Sequence, residues 1–335
     1  MTSDNGTMSI LLQKSIQSLK VTLLANSLYV ALGALAIIFN TLILIIIAKS
    51  KSLRSKCFLL LAANSVSDFI MGAGYMSIGA IRVYRHLMGN GELTGMFRCC
   101  LQCTVIIFAQ LFSLGMAAAL VVDRVLATFY PQDYRNWTSR QVTVPLIVSA
   151  VTYALVQLTV HYCDAWAGRD VIQKTCGIEE TVFPSTLSAL TTFQLCTSGM
   201  IVALNIVLAL GIWRHKKKFQ VAHIGNKPKT NQDAGSADTD TKIVRAITVI
   251  VVTHVLTHLG GRLLIYLMSV FSDENGKAQA NRYGRQVVVF NAAMHFFVLF
   301  AMSSQFRVAT KKFFGAQKET AIVRTGNQTH TQSRY

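Results

Sequence analysis

Asp68 lies in the middle of a long apolar stretch, where an ionisable side chain is costly and needs a partner or a function. A carboxylate in such a place can bind a cation or a proton whose binding is coupled to a conformational change. It can equally be the structural centre of a hydrogen-bond cluster. Asn40, which lies in an otherwise aliphatic stretch, is the partner that we expect for Asp68.

Asp123 and Arg124 form an acid–base pair at the end of the apolar stretch that begins at Cys99. An arginine there can reach the polar edge of a membrane as an anchor. It can also be a switch that an acid holds until activation. Asp123 is adjacent in the sequence, and Asp240, just before a later apolar stretch, is the second candidate for that acid.

Motifs of enzymes and of metal sites are not found in the sequence. There is no phosphate-binding glycine loop, no His-Glu-x-x-His motif, and no serine or cysteine nucleophile with an evident base. His254 and His258 are one helical turn apart and could bind a metal or sense pH, but we expect a packed, hydrogen-bonded pair. We therefore expect no enzymatic activity, no cofactor and no bound metal.

The composition is that of a membrane protein. Mean hydropathy is +0.42, and charged residues make up 14% of the chain, well below the roughly 25% of soluble domains. The net charge of +17 falls in short runs beside apolar stretches and forms no basic stripe interleaved with aromatic residues. We therefore expect the lipid bilayer, and not nucleic acid, to be the partner of these charges.

Seven apolar stretches are each long enough to cross the roughly 30 Å hydrocarbon core of a bilayer as a helix. They do not alternate in polarity, as the strands of a membrane barrel do. The sequence therefore predicts an all-α protein, a seven-transmembrane-helix bundle over residues 23–304. The predicted spans are residues 23–48, 57–81, 99–123, 142–162, 187–213, 243–269 and 286–304.

Lysine and arginine predict that the amino terminus is outside. This orientation puts 21 of the 32 basic residues inside, including four around the short loop after the first span. Residues 1–22 then form an extracellular amino terminus with a glycosylation sequon at Asn5. Aromatic and basic residues over 305–314 predict a short amphipathic helix on the inner leaflet, followed by a disordered cytoplasmic tail over 315–335.

The spacing of these residues resembles that of the rhodopsin-like (class A) G-protein-coupled receptors over nearly the whole chain. Asn40 and Asp68 match polar residues of the first two spans, and Asp123-Arg124-Val125 resembles the family's Asp-Arg-Tyr triplet. The resemblance implies a sodium-type polar site inside the membrane, formed by Asn40, Asp68, Ser113 and Asn291. It also implies a switch for G-protein coupling, formed by Asp123, Arg124 and Asp240.

Cys99 lies 25 residues before Arg124, which is the family's spacing for the cysteine that bridges to the second outer loop. The resemblance therefore implies a disulfide between Cys99 and Cys176, which would pin this loop over the mouth of the bundle. Spacing alone leaves three competing partners open, namely Cys100, Cys103 and Cys163.

Two spans depart from the mainstream of the family. The sixth span has His254 and His258 where an aromatic-rich Phe…Cys-Trp-x-Pro motif is usual. The seventh span reads His295-Phe296-Phe297-Val298-Leu299 where Asn-Pro-x-x-Tyr is usual. These departures, together with the basic stretches over 51–57 and 82–85, resemble the nematode serpentine chemoreceptors of the Srsx class.

The ligand of such a receptor is expected in the outer half of the bundle, where polar side chains meet an apolar cavity. Amine receptors of the family have an aspartate where this chain has Ile106, so a biogenic amine is not expected. The outer halves of the spans carry no carboxylate, which favours a neutral polar or an anionic ligand. The pocket candidates are Gln102, Ile106, Gln110, Thr191, Gln194, His258, Arg262 and Arg285.

The resemblance implies a chemosensory G-protein-coupled receptor in the plasma membrane, with sensory cilia as one setting. An extracellular small molecule or peptide would favour a state in which the inner ends of spans five and six separate near Arg124, and a heterotrimeric G protein would bind there. Three alternatives stay open. They are a seven-span ligand-gated channel resembling insect odorant receptors with its amino terminus inside, a transporter with Asp68 as its proton site, and an orphan that chaperones other receptors.

Overall fold

The computed structural model describes residues 4–88, 94–173, 176–223, 260 and 274–315, with side chains over 22–88, 94–172, 176–211, 260 and 283–315. Apart from Gly260, the predicted sixth span lies outside the described residues. The predicted site residues Asp240, His258 and Arg262 lie outside them too, as does the tail beyond residue 315.

Helices make up most of the described part of the chain. Six of them contain a stretch that is long and apolar enough to cross a membrane, the shortest being the 20 residues Tyr283–Met302. Since each helical residue adds 1.5 Å, even this stretch spans about 30 Å of hydrocarbon. The prediction of an all-α membrane bundle is therefore confirmed. The helices are α1 Asp4–Lys49, α2 Lys56–Leu87, α3 Met96–Phe129, α4 Pro131–Asn136, α5 Ser139–Ala167, α6 Pro184–His223, α7 Glu274–Met302 and α8 Ser304–Phe313.

Capping side chains determine where two of these helices begin. Thr138 precedes α5, and its Oγ1 accepts a hydrogen bond from Gln141 N at 3.4 Å while Gln141 Oε1 accepts one from Thr138 N at 2.7 Å. This reciprocal capping box satisfies amides that the first turn leaves without a helical partner. Ser303 caps α8, since its Oγ accepts from Phe306 N at 3.2 Å. The chain therefore turns at Ser303 from the last span into the amphipathic α8.

The central helix of the bundle is α3. In its most apolar stretch 72% of the residues are buried, against 28% in α5 and 22% in α6. It contacts α2, α5 and α6. Its approach to α5 is close at Gly115, where a Cβ would lie only 3.0 Å from Ala150 Cα. One buried helix therefore connects Cys99, near its first residue, to Arg124, near its last.

The first two helices touch backbone to backbone where glycines of α1 and α2 face each other. A Cβ on Gly33 would lie 2.6 Å from Gly72 O, and a Cβ on Gly72 would lie 2.8 Å from Gly33 O. Small residues of this kind are how helices approach closely in a membrane, where lipid removes the hydrophobic drive between them. The contact holds α1 tightly against α2, the helix that carries Asp68.

The outside of the bundle is apolar. Ile38, Val156 and Ile206 lie on three different helices, and each is more than half exposed, at 53%, 60% and 55%. Apolar side chains facing outward from helices of this length suit lipid tails rather than water. The chain is therefore a multi-pass membrane protein.

The loop between α5 and α6 lies across the end of α3 that carries Cys99. Its strand β2 (Ile172–Gln173) pairs antiparallel with β1 (Thr94–Gly95), the segment that leads into α3. A disulfide joins Cys99 to Cys176 of the loop, with the two Cα atoms 5.4 Å apart. A 3₁₀ turn over Glu179–Thr181 follows and contacts α3. The loop is thus tied to the bundle at three successive points.

Candidate functional site

Asp123 and Arg124 form a buried ion pair near the end of α3. Arg124 Nε donates a hydrogen bond to Asp123 Oδ2 at 2.9 Å, and Arg124 Nη2 donates to the same oxygen. The Asp123 side chain is fully buried, and that of Arg124 is 9% exposed. Two charges with so little water around them depend on each other and on further hydrogen bonds, so removal of either one leaves the other uncompensated.

Tyr134, on the short helix α4, provides one of these further hydrogen bonds. Its hydroxyl donates to Asp123 Oδ1 at 2.6 Å and accepts from Arg124 Nη2 at 3.5 Å. Both carboxylate oxygens of Asp123 therefore have donors. Burial, followed by the hydrogen bond to Asp123, raises the pKa of the Tyr134 hydroxyl above its ordinary value. The hydroxyl thus stays protonated and able to donate at neutral pH.

Lys56 connects the first turn of α2 to the same place. Its Nζ donates to the backbone oxygen of Tyr134 and lies 4.3 Å from the centroid of the Tyr134 ring, a cation–π contact. The sequence analysis missed both Tyr134 and Lys56 as site residues. The available signal was Pro131, which starts a helix directly after α3 and so turns Tyr134 back toward Asp123. We call Lys56, Asp123, Arg124 and Tyr134 the Arg124 cluster.

A second polar cluster surrounds Asp68, which is fully buried in the middle of the bundle. Asn64 Nδ2 donates to Asp68 Oδ2 at 3.0 Å, and Ser113 Oγ donates to Asp68 Oδ1 at 3.2 Å. His295 Nδ1 lies 2.7 Å from Asp68 Oδ2. These contacts join α2, α3 and α7. We call Asn64, Asp68, Ser113, Asn291 and His295 the Asp68 cluster.

The sequence analysis did not assign His295 to a site. It is 3% exposed, and its Nε2 lies 3.5 Å from Nδ2 of Asn291, so Asn291 contacts the cluster through the histidine. The sequence did contain a signal for a site role of His295, because this residue stands where the usual Asn-Pro-x-x-Tyr motif has its asparagine. Its contact with Asp68 depends on how α7 sits against α2, which spacing along one helix does not give.

Asn40 does not make the hydrogen bond to Asp68 that the sequence led us to expect. Its Nδ2 donates to Ala36 O at 2.9 Å and to Ala292 O at 3.1 Å. Because α7 packs against α1 at this level, a backbone oxygen of α7 is in reach of the amide. Asn40 therefore ties α1 to α7, and within the described part of the chain its Oδ1 has no hydrogen-bond partner.

A third cysteine lies beside the disulfide. Cys103 Sγ is 3.9 Å from Cys176 Sγ, and the sulfurs of Cys99, Cys103 and Cys176 lie within 4.8 Å of one another. Cys100 Sγ instead lies 3.8 Å from His161 O, and Cys163 is exposed. Two of the three clustered sulfurs are bonded to each other, so the trio does not offer three thiolates to a metal.

A cleft lies between α3, α5, α6 and the loop; we call it the α3–α6 cleft. Three predicted pocket residues line it, namely Gln110, Thr191 and Gln194. Gln110 Nε2 donates to Tyr75 OH at 2.6 Å, and Gln194 Nε2 donates to Gln157 Oε1 at 3.0 Å. A few fixed polar groups in an apolar wall are typical of small-molecule sites. The wall consists of Ile107, Leu111, Leu114, Ile178, Leu187 and Leu190.

A carboxylate also lines this cleft, although the spans predicted from the sequence carry none in their outer halves. Glu179 comes from the loop, and it forms an ion pair with Arg285 of α7. Gly177 makes room for the arginine, since a Cβ there would lie 2.8 Å from Arg285 Nη1. Sequence reasoning considered the spans alone, and the disulfide at Cys176 is what brings the loop residue Glu179 back over the bundle.

The other predicted residues lie apart from the α3–α6 cleft. Ile106 is 2% exposed and packs against Gly74 of α2, where a Cβ would lie 2.7 Å from Ile106 Cγ1. Gln102 lines a smaller cleft together with Arg82 and Arg85. Asn5 falls in the first turn of α1, and its side chain lies outside the described ones.

A known protein family matches most of the chain. The family model described as serpentine type 7TM GPCR chemoreceptor Srsx matches residues 34–314. The match begins within α1 and ends just after α8, so it contains both polar clusters, the disulfide and the α3–α6 cleft. No curated protein matches the chain. The resemblance to the Srsx class that the sequence indicated is confirmed by this match.

Proposed function

Since the chain belongs to the family of serpentine type 7TM GPCR chemoreceptors named Srsx, we propose that it couples an extracellular ligand to a heterotrimeric G protein. We propose the plasma membrane, sensory cilia included, as its location, with the amino terminus outside. The distribution of lysine and arginine supports this orientation. The α5–α6 loop is then extracellular, and the Arg124 cluster faces the cytoplasm.

The α3–α6 cleft is the proposed ligand site. Gln110, Thr191 and Gln194 supply polar groups, and the surrounding wall is apolar. The carboxylate of Glu179 is already neutralised by Arg285, so a cationic ligand finds no free negative charge among the described lining residues. The cleft therefore suits a neutral polar or an anionic ligand with an apolar part.

Helix α3 provides the mechanical link between the ligand and the G protein. Gln110 and Arg124 lie on this one helix, about 21 Å apart along its axis. A ligand that binds better to a shifted arrangement of the helices around the cleft raises the population of that arrangement. In the proposed active state the inner ends of the fifth and sixth spans have moved apart, and Arg124 becomes accessible to the G protein.

The buried Asp123–Arg124 pair, with its hydrogen bond to Tyr134, is the observation that carries this proposal. A buried ion pair is weak support for stability, and breaking one by removing a partner costs about 3–5 kcal/mol. A charge pair with this cost is suited to a switch, because Arg124 leaves Asp123 only when another partner is present. A bound G protein would be that partner.

The proposal is tested by a signalling assay in cells that express the chain. Pooled small metabolites are the stimulus, and calcium and cyclic nucleotides are the readouts. Arg124→Ala is compared with the wild type at matched surface expression, and Arg169→Ala, a half-exposed arginine of the α5–α6 loop, is the control. We expect the wild type and Arg169→Ala to respond and Arg124→Ala to be silent.

A response that persists in Arg124→Ala would contradict the proposed switch. If an immediate ionic current accompanied that response, the chain would be a ligand-gated channel. If uptake of the stimulus required Asp68 and no G protein responded, it would be a transporter.

A further inference from the structure

The resemblance to the class A receptors implies a sodium-type polar site at Asp68, with Asn40, Ser113 and Asn291 around it. The residues of this chain do not fit a sodium ion at that site. We propose that His295 takes the place of the cation, so that the Asp68 cluster is closed by an imidazole and does not bind sodium.

The position of the imidazole is the first reason. His295 Nδ1 lies 2.7 Å from Asp68 Oδ2, and both side chains are buried, at 4% and 1% exposure. A separation of 2.7 Å between a nitrogen and an oxygen accommodates the hydrogen of one hydrogen bond. An ion shared by these two residues would have to lie between the same two atoms, and it has no room there.

The neighbouring groups are the second reason, because they present hydrogen atoms to Asp68. Asn64 directs its amide nitrogen at Oδ2, and the Ser113 hydroxyl donates to Oδ1. A sodium ion needs oxygen lone pairs directed at it. Of the residues expected around the ion, Asn291 has its Nδ2 on His295. The side-chain amide of Asn40 donates hydrogen bonds to two backbone oxygens.

The origin of the imidazole is the third reason. A carboxylate in the core of a membrane bundle needs a partner. Among the described residues, His295 is the ionisable side chain in hydrogen-bonding contact with Asp68. The imidazole belongs to the chain itself, so Asp68 has a hydrogen-bond partner at this place without an ion from solution. A sodium ion could leave the bundle, whereas His295 is a permanent link from α7 to α2.

Thermal unfolding of the purified receptor tests this inference, and it needs no ligand. The midpoint is measured in about 150 mM sodium chloride and in the same concentration of choline chloride, which keeps ionic strength equal. The chains compared are the wild type, Asp68→Asn, His295→Asn, and the double variant His295→Asn with Asp68→Asn. Asparagine is chosen because its side-chain oxygen can face an ion. It is also the residue that the usual Asn-Pro-x-x-Tyr motif of the class A receptors has at this place.

We expect the wild type to unfold at the same temperature in both salts. His295→Asn should unfold at least about 2 °C higher in sodium than in choline, because an ion that binds only the folded state stabilises it by mass action. The double variant should lose this difference, since the carboxylate that attracts the ion is gone.

A wild-type midpoint that rises in sodium, with the rise abolished by Asp68→Asn alone, would overturn the inference. A His295→Asn variant that folds but shows no response to sodium would also overturn it, since His295 would then not be what keeps the ion out. If His295→Asn cannot be purified, His295→Gln offers the same amide oxygen on a longer side chain. The wild-type comparison remains decisive without either variant, and it does not depend on the proposed coupling to a G protein.

Discussion

The Tyr134 hydroxyl donates a hydrogen bond to Asp123 Oδ1 at 2.6 Å, from a helix that starts only after α3 has ended. The backbone oxygen of the same tyrosine accepts a hydrogen bond from Lys56 of α2, and its ring makes a cation–π contact with this lysine. The short helix α4 therefore holds the ion pair of α3 against the start of α2. Any movement that frees Arg124 has to break or shift this contact, which makes Tyr134 a direct probe of the resting state.

Tyr134→Phe should raise the basal activation of G proteins. The substitution removes one hydrogen bond to a buried carboxylate, which contributes about 1.5–3 kcal/mol, and so it moves the equilibrium toward the open state by about tenfold or more. The measurement is ligand-free signalling, normalised to surface expression. Tyr130→Phe is the matched control, because the Tyr130 side chain is 56% exposed. Equal basal signalling in both variants would contradict the role of Tyr134.

The stabilisation that Tyr134 provides should not vary with pH between about 6 and 9. Its pKa is raised by burial and by the bond to Asp123. A raised pKa means that the contribution is fully present below the unfolded-state value of about 10 and is lost only above it. The measurement is the difference in unfolding midpoint between the wild type and Tyr134→Phe across this range. A difference that shrinks steadily from pH 7 to 9 would show that the phenol ionises there.

Gly33→Ala should destabilise the bundle, whereas Gly199→Ala should not. A Cβ on Gly33 would lie 2.6 Å from Gly72 O, so α1 and α2 would have to separate, at a cost of about 1–3 kcal/mol. A Cβ on Gly199 meets no atom of the described residues within 4 Å, and alanine there gains up to about 1 kcal/mol of helix propensity. The unfolding midpoints of the two purified variants should therefore move in opposite directions. A lower midpoint for Gly199→Ala than for Gly33→Ala would refute this account of the α1–α2 contact.

Cys99→Ser should not leave Cys176 as a free thiol. Cys103 lies one turn further along α3, with its sulfur 3.9 Å from that of Cys176, so we expect these two to form the disulfide when Cys99 is absent. Peptide mapping without reduction should find the Cys103–Cys176 bridge in Cys99→Ser. Adding Cys103→Ser should abolish it. Alkylation of both Cys103 and Cys176 in the single variant would contradict the expectation.

The fold class and the family could be predicted because they depend on properties of single segments. Apolar stretches of twenty residues or more have few alternatives to membrane helices. The buried charges Asp68, Asp123 and Arg124 stand out for the same reason, since ionisable residues are rare in such stretches. The cysteine pair Cys99 and Cys176 came from the spacing of a known family.

The contacts between segments could not be predicted in the same way. His295 reaches Asp68 because of how α7 is rotated and positioned against α2, and Tyr134 reaches Asp123 because α4 folds back on α3. Glu179 enters the α3–α6 cleft because the disulfide returns the loop to the bundle. Each depends on two elements that are distant in sequence, and the helical period gives the face of one element only.

The restraint of Arg124 by Asp123 is the central claim, and nucleotide exchange on purified G proteins tests it most directly. Receptor in lipid nanodiscs is mixed without ligand with a panel of heterotrimeric G proteins. Asp123→Asn keeps the shape of the side chain and removes the charge that holds Arg124. We predict that Asp123→Asn exceeds the wild type in exchange by about tenfold with at least one G protein, and that adding Arg124→Ala abolishes the gain. Exchange by Asp123→Asn equal to the wild type across the panel, or a gain that survives Arg124→Ala, would contradict the account.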